Sequence, residues 1–225
     1  MTNNYTSNQS EQFKDKIIVI TGSTQGSGAE TAKLLAGRGA KGITICGSND
    51  DKGNKVKDEI LKLGSECIYV KADLENLNDC KKIISETDKK FKTIDSFINV
   101  AAFTERGTIL STTEENYDKN FNVNVKAPLF MMQDVIKIMI RDKKKGTIAH
   151  ILSMAAYSGM PFLTAYSASK AALAIMIKNV ANSVSGHQIR VNGVNLGWTD
   201  TPAETTIQKK FHNADDNWLK EAEAK

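Results

Sequence analysis

Cysteine is scarce in this chain of 225 residues: Cys46, Cys67 and Cys80 are the only three. An odd count without CxxC spacing excludes a disulfide scaffold and leads us to expect a reducing, cytoplasmic setting. Histidine is as sparse. His150, His187 and His212 lie far apart with no HxxxH or Cys/His spacing, so no metal site is expected. No run approaches the roughly 18 apolar residues of a membrane span, and no basic stretch followed by an apolar segment opens the chain, so neither membrane insertion nor export is expected. An excess of one charge is missing too. Thirty Lys+Arg against 26 Asp+Glu leave a net +4 with the signs interspersed, which points to no nucleic-acid partner. The Lys143-Lys144-Lys145 run reads as a solvated loop.

What the chain does have is a globular composition, 40% hydrophobic and 25% charged. Residues 1–14 are rich in Asn, Ser, Thr and Gln and read as a loose arm. From Lys16 onward, short runs rich in Ile and Val alternate with helix-length amphipathic stretches, and no Pro-rich linker interrupts them. The runs at 17–21, 43–46, 67–70, 94–100, 147–152 and 189–194 show little polar alternation, as strands covered on both faces should. Helices are expected at 28–38, 51–63, 77–91, 113–140 and 164–184, the fourth starting at a capping box, Ser111-x-x-Glu114. Pro128 should kink that helix, because it lacks an N–H and clashes with the carbonyl of Asn124. The pattern predicts one α/β domain over 15–225, a Rossmann-type, doubly wound parallel sheet with helices on both faces. Residues 201–225 read as a polar loop and a short helix carrying Trp218 and Leu219, a substrate lid with no seventh strand after it.

The first strand runs into Thr21-Gly22-Ser23-Thr24-Gln25-Gly26-Ser27-Gly28 and then a helix. Glycine permits tight turns and close approach, and a helix N-terminus offers free N–H groups to a pyrophosphate, so this turn suits a dinucleotide. The second strand ends at Gly47-Ser48-Asn49, with neither the carboxylate that would hold an NAD ribose nor an arginine for a 2′-phosphate. Asp50 and Asp51 read as caps of the next helix or as late ribose ligands. The space beside Gly47 and the Ser48 hydroxyl favour NADP(H) slightly over NAD(H). Tyr166-x-x-x-Lys170 sets a phenol and an ammonium one helical turn apart, and Ser153 ends a strand 13 residues earlier. A hydroxyl, a phenol and an ammonium could thus converge at the carboxyl edge of the sheet. The cation is expected to draw the phenol down toward a working range.

With these motifs the sequence resembles the short-chain dehydrogenase/reductase family from about residue 14 to its end. The resemblance is carried by TGSTQGSG at Thr21 to Gly28, Asp73 after the third strand, NVAA at Asn99 to Ala102, Asn124, Ser153, Tyr166, Lys170, and NLGWTDT at Asn195 to Thr201. It implies Tyr166 as proton donor or acceptor, Ser153 as the hydrogen bond that positions the substrate oxygen, Lys170 on the nicotinamide ribose, and Asn124 holding a water in a proton relay. It further implies cofactor contacts at Gly22 through Gly28, Ser48, Asp73, Leu74, Asn99, Ala101, Gly197, Thr199 and Thr201. Asp73 would pair with the adenine amino group, and Asn99 would mainly steady the central strands. Read without the family, Asp73 would be a helix cap and Asn99 a strand-end turn residue. Substrate contacts are expected from Ser153, Ala155, Phe162, Tyr166 and Trp198, with Phe103 and Met160 nearby. Three departures stand out: Ala102 and Leu196 replace a glycine and a proline of the family pattern, and the chain stops some thirty residues earlier than a usual member.

The expected function is hydride exchange between a nicotinamide cofactor and a small-molecule carbonyl or secondary alcohol. A ketoacyl-carrier-protein-type reductase, to which Lys209 and Lys210 could lend a basic mouth, and a non-catalytic dinucleotide sensor are the alternatives. Ala168, Ala172, Ile175 and Met176 are too many apolar positions for one side of a sheet to cover, which predicts a homodimer or homotetramer.

Overall fold

The structure, a computed structural model, describes residues 11–223 except 198, 213 and 216. Six parallel strands form one sheet in the order β3-β2-β1-β4-β5-β6. They are β1 (Ile17–Thr21), β2 (Gly42–Gly47), β3 (Glu66–Lys71), β4 (Ser96–Asn99), β5 (Thr147–Ser153) and β6 (Arg190–Leu196). The crossover helices are α1 (Gly26–Gly37), α2 (Asp50–Lys62), α3 (Leu77–Phe91), α4 (Glu114–Phe121), α5 (Ala127–Arg141) and α6 (Thr164–Val184), followed by α7 (Pro202–His212) and α8 (Trp218–Glu223). The doubly wound sheet expected from the alternating pattern is the one observed.

Apolar runs without polar alternation become strands here because both faces are covered. Ile18, Ile20, Ile43 and Ile45 join Ala29, Ala32 and Ile60 in the core on one face. Val19, Phe97, Ile148 and Leu152 join Ile83, Met131, Val135 and Leu173 in the core on the other. Truncating any of these large side chains to alanine costs about 2–5 kcal/mol. All three cysteines lie buried and unbridged in this frame.

Several local readings are corrected. The chain at 11–14 is held to the domain, because Phe13 N–H donates to the Arg38 carbonyl at 2.9 Å and the Phe13 ring packs on the core; residues 1–10 lie outside the described residues. Lys144 is not simply solvated: its Nζ donates to Asp95 Oδ1 at 2.9 Å, while Asp95 Oδ2 accepts from Ile17 N at 2.9 Å. This buried carboxylate ties the starts of β1 and β4 together. The cap of α4 is Thr113, whose Oγ1 accepts from Asn116 N at 3.1 Å. Ser111 instead closes a turn with Thr108, the same spacing having occurred two residues too early. The kink expected at Pro128 takes the form of a π-helical turn, Asn122–Lys126, between α4 and α5. Where a polar loop was expected, Thr201 caps α7 by accepting from Glu204 N at 3.1 Å. Thr201-Pro202-x-Glu204 is a helix-start pattern hidden in a polar stretch.

Candidate active site

A cleft of about 670 Å³ opens at the carboxyl ends of β1 and β4. There the strand order reverses, and open α/β sheets take their ligands at such switch points. After β1 the chain turns through Gly22 at φ 62° and Gly26 at φ 53°, conformations that favour glycine. A Cβ on Gly22 would stand 2.7 Å from Ala101 Cα, and one on Gly28 would run into the Gly22 carbonyl oxygen. The glycines therefore let three backbone segments meet. Gln25, at the N-cap of α1, makes no side-chain capping hydrogen bond, and the first turn carries no acidic residue. Its uncapped N–H groups and positive dipole end form an anion cradle that fits a pyrophosphate.

The predicted cofactor contacts divide at this point. Gly22, Thr24, Gln25, Gly26, Ser27, Gly28, Ser48, Asp73, Leu74, Ala101, Gly197, Thr199 and Thr201 all line the cleft. Ser23 does not, because its hydroxyl donates to the Ile20 carbonyl at 2.6 Å and accepts from Cys46 N at 3.0 Å, stitching β1 to β2. Asn99 lies beneath the floor, accepting from Thr21 Oγ1 at 2.7 Å. Asn49 caps α2, so Asp50 and Asp51 occupy its first turn. Asp50 is engaged by Lys71 Nζ at 2.6 Å and Tyr69 Oη at 3.3 Å. Asp73 neither caps a helix nor is buried: its Oδ1 accepts from Glu75 N at 3.0 Å in a turn, and Asn76 caps α3.

At the other end of the cleft, Ser153 closes β5 and Tyr166 and Lys170 project from α6 onto the same wall. Lys170 is 1% exposed. Its Nζ donates to the Ile151 carbonyl at 2.8 Å and stands 5.9 Å from the Tyr166 ring centroid. Burial pulls this ammonium down to about 8. Burial also pushes the Tyr166 phenol above its ordinary value; the Ser153 hydroxyl opposes that shift and the Glu204 carboxylate adds to it. The lowering of the phenol expected from the Lys170 cation is outweighed in the chain itself. One N–H of the ammonium goes to a strand carbonyl, and the loss of water around the phenol outweighs what the serine returns.

A family model described as short chain dehydrogenase matches residues 16–211. The chain belongs to that family. It is 31% identical to galactitol 2-dehydrogenase of Agrobacterium fabrum, over 84% of this chain and 72% of that protein. It is 30% identical to a 3-oxoacyl-[acyl-carrier-protein] reductase of Thermotoga maritima, over 88% of this chain and 80% of that protein. Among solved structures, an NAD+-bound xylitol dehydrogenase superposes with a TM-score of 0.83 at 22% identity, covering 89% of this chain and 77% of that one; that likeness bears on the fold alone. This short-chain dehydrogenase is accordingly an oxidoreductase of the CH–OH/carbonyl pair that uses a nicotinamide dinucleotide.

Asn124 sits in the π-helical turn, completely buried. Its Nδ2 donates to the Phe103 carbonyl at 2.9 Å and to Ser169 Oγ at 3.0 Å, and its Oδ1 accepts from Phe103 N at 2.8 Å. The amide therefore pins the loop after β4 to α6, one residue before Lys170. Of the expected substrate contacts, Ala155, Met160 and Phe103 line the cleft, while Phe162 lies behind the wall against Arg106. Trp198 lies outside the described residues. Ala102 and Leu196, where the chain departs from the family pattern, both border the cleft. The sequence reading missed Arg106 and Glu204, which border it as well. Glu204 was legible as the fourth residue of the α7 start pattern, whereas Arg106 carries no local signal. No helix among the described residues is long and apolar enough to cross a membrane.

Proposed function

We propose that this chain is an NADP(H)-preferring reductase or dehydrogenase of small carbonyl compounds and secondary alcohols. In this reading Tyr166 passes a proton to or from the substrate oxygen, and Ser153 holds that oxygen by a hydrogen bond. The observation that carries it is the arrival of Ser153, Tyr166 and Lys170 on one wall of the cleft whose far end is the anion cradle. The dinucleotide supplies or accepts the hydride when bound. Lys170 would sit on the nicotinamide ribose and keep a cation near the phenol ring, and Asn124, in the π-helical turn, would hold a water in a proton relay. Gly22 and Thr24 through Gly28 would hold the pyrophosphate, with Ser48 and Asp73 on the adenosine side and Thr199 and Thr201 on the nicotinamide side. Three buried thiols without a disulfide suit a reducing cytoplasm.

The preference for NADP(H) is supported by charge. Neither carboxylate that follows β2 borders the cleft: Asp50 is engaged by Lys71, and Asp50 and Asp51 both lie in the first turn of α2. Lys52 Nζ reaches over to the phosphate turn, donating to Gln25 Oε1 at 2.6 Å. A 2′-phosphate near Ser48 would draw on that ammonium, whereas an NAD ribose would find neither Asp50 nor Asp51 on the cleft wall. In a fluorescence titration NADPH should bind at least about 10-fold more tightly than NADH, and Lys52→Glu should erase that difference. Tighter binding of NADH to the unmodified protein would reverse the assignment. The carrier-protein reading draws less support, because Lys210 Nζ is already paired with Glu105 at 3.3 Å.

The same reading includes assembly across a two-fold on α5 and α6. Ile175 on α6 is 57% exposed and Ile140 on α5 is 39% exposed, apolar side chains that packing of these helices across a two-fold would cover. Light scattering should return the mass of a dimer or tetramer, and a monodisperse monomer at micromolar concentration counts against it.

A further inference from the structure

Arg106 borders the chemical end of the cleft, and its guanidinium is buried yet short of partners. Only 9% of the side chain is exposed. Its buried Nε has no hydrogen-bond partner. Among the described residues the group meets the Phe162 ring, 4.8 Å from its centroid, and Glu204 Oε1, 3.8 Å from Nη2, which is beyond hydrogen-bond reach. That same carboxylate oxygen already accepts from Gln208 Nε2 at 2.7 Å. A guanidinium whose Nε has lost water without gaining a hydrogen bond is costly, and its burial lowers its affinity for the proton. Such a group is held for something that completes it.

Its position relative to the chemistry is well defined. Gly107 N donates to the Phe162 carbonyl at 3.0 Å and Thr164 N donates to the Gly107 carbonyl at 3.1 Å. The segment bearing Arg106 is therefore laced to the chain just ahead of Tyr166. Glu204, the loose partner of Arg106, also lies near enough to raise the Tyr166 phenol. The guanidinium, the carboxylate and the phenol surround one end of the same cleft.

We propose that Arg106 receives an anionic group, carboxylate or phosphate, carried by the substrate. The substrates of this site are then oxo and hydroxy acids, or phosphorylated ketones and alcohols, in place of neutral polyols. The inference rests on Tyr166 being the acid–base group, as argued above. The planar fork offers two parallel N–H donors to two oxygens of one anion. Glu204 meets Arg106 through charge alone, with no hydrogen bond between them, and can stay with Gln208 while an incoming anion takes N–H groups that Glu204 leaves unused. A neutral ketone would leave the Arg106 Nε without a hydrogen bond, and sites built around an unsatisfied polar group discriminate strongly against ligands that cannot pair with it.

The test pairs charged and neutral ketones: levulinate with methyl levulinate, and dihydroxyacetone phosphate with dihydroxyacetone, each with the preferred reduced cofactor. Levulinate or dihydroxyacetone phosphate should exceed its neutral counterpart in kcat/KM by at least about 10-fold, and Arg106→Gln should lower the charged value about 100-fold with the neutral one nearly unmoved. Which pair shows the effect tells carboxylate from phosphate. Arg106→Lys, which keeps the charge and loses the fork, should fall between, and it serves if the glutamine variant does not fold. A second readout is thermal: in the presence of oxidised cofactor, the favoured anion should raise Tm of the parent protein and not of Arg106→Gln. If that stabilisation appears while no ketone is turned over, the acid–base reading of Tyr166 fails and the anion site stands. Equal turnover of charged and neutral ketones, equal losses in Arg106→Gln, or no Arg106-dependent stabilisation in a protein that turns over neither pair each overturns the proposal.

Discussion

Tyr166→Phe should lower kcat by roughly 10²–10⁴-fold, the range expected for loss of a positioned general acid or base. Cofactor affinity and thermal stability should change little. The substitution removes one oxygen from a side chain whose ring keeps its place on α6 beside Lys170, so the cradle at Gly22 to Gly28 is untouched. The phenol makes this contribution although burial raises it above its ordinary value. For reduction that direction is serviceable, since a neutral phenol is the proton donor. For oxidation it is a handicap that Ser153, the group opposing the shift, partly offsets. The pH profile should therefore be asymmetric, with oxidation of the alcohol favoured as pH rises and carbonyl reduction persisting at neutrality. Ser153→Ala should exaggerate the asymmetry by removing the opposing hydrogen bond. Stopped-flow measurement of single-turnover rates in both directions checks this. A Tyr166→Phe enzyme that keeps more than about a tenth of kcat would remove the phenol from the reaction.

His150 should make the fold steeply sensitive to acid. It lies on β5 with no exposed surface. Its ring meets Phe97 edge-on at 5.8 Å, and among the described residues neither ring nitrogen has a hydrogen-bond partner. Burial, with the Lys170 cation adding to it, brings this imidazole from 6.5 down to about 3. The folded chain therefore holds His150 neutral, while the unfolded chain takes up a proton below 6.5. Stability from this source is complete above pH 6.5 and drains away as pH falls toward 3. At pH 4 the loss from this one group is about 3 kcal/mol. In reversible urea unfolding, His150→Leu should lie near the parent or above it at pH 7, because two orphaned polar atoms leave the core. Its advantage should grow by about 3 kcal/mol on going to pH 4. Parallel pH curves for the two proteins would mean that His150 is protonated as easily in the folded chain as in the unfolded one.

How much of this was legible depended on how local each cause is. The strands were readable because an Ile- and Val-rich run such as Ile17–Thr21 makes sense only if both faces are covered. The start of α6 was readable because Tyr166 and Lys170 need one turn of helix to share a face. The α7 helix was readable in principle, through Thr201-Pro202-x-Glu204, but its polar composition concealed it. Other features had no local trace. Ser23 sits in a glycine-rich turn that promises a ligand contact, yet β2 brings Cys46 N within 3.0 Å of its hydroxyl and takes that hydroxyl for the sheet. The pull of Lys170 on the phenol, sound as a spacing argument, was outweighed by burial and by the Ile151 carbonyl, neither of which a sequence displays.

Alone, the amino-acid order determined the alternation of strand and helix, the glycine turn after β1, and the Ser153, Tyr166 and Lys170 set, because each depends on periodicity or on spacing within one or two elements. The folded chain decided which polar groups lose their water: it left Arg106 beside Glu204 without a hydrogen bond, sealed His150 against Phe97, and raised the Tyr166 phenol. Desolvation and charge depend on everything packed around a group, and what surrounds these side chains comes from segments far apart along the chain.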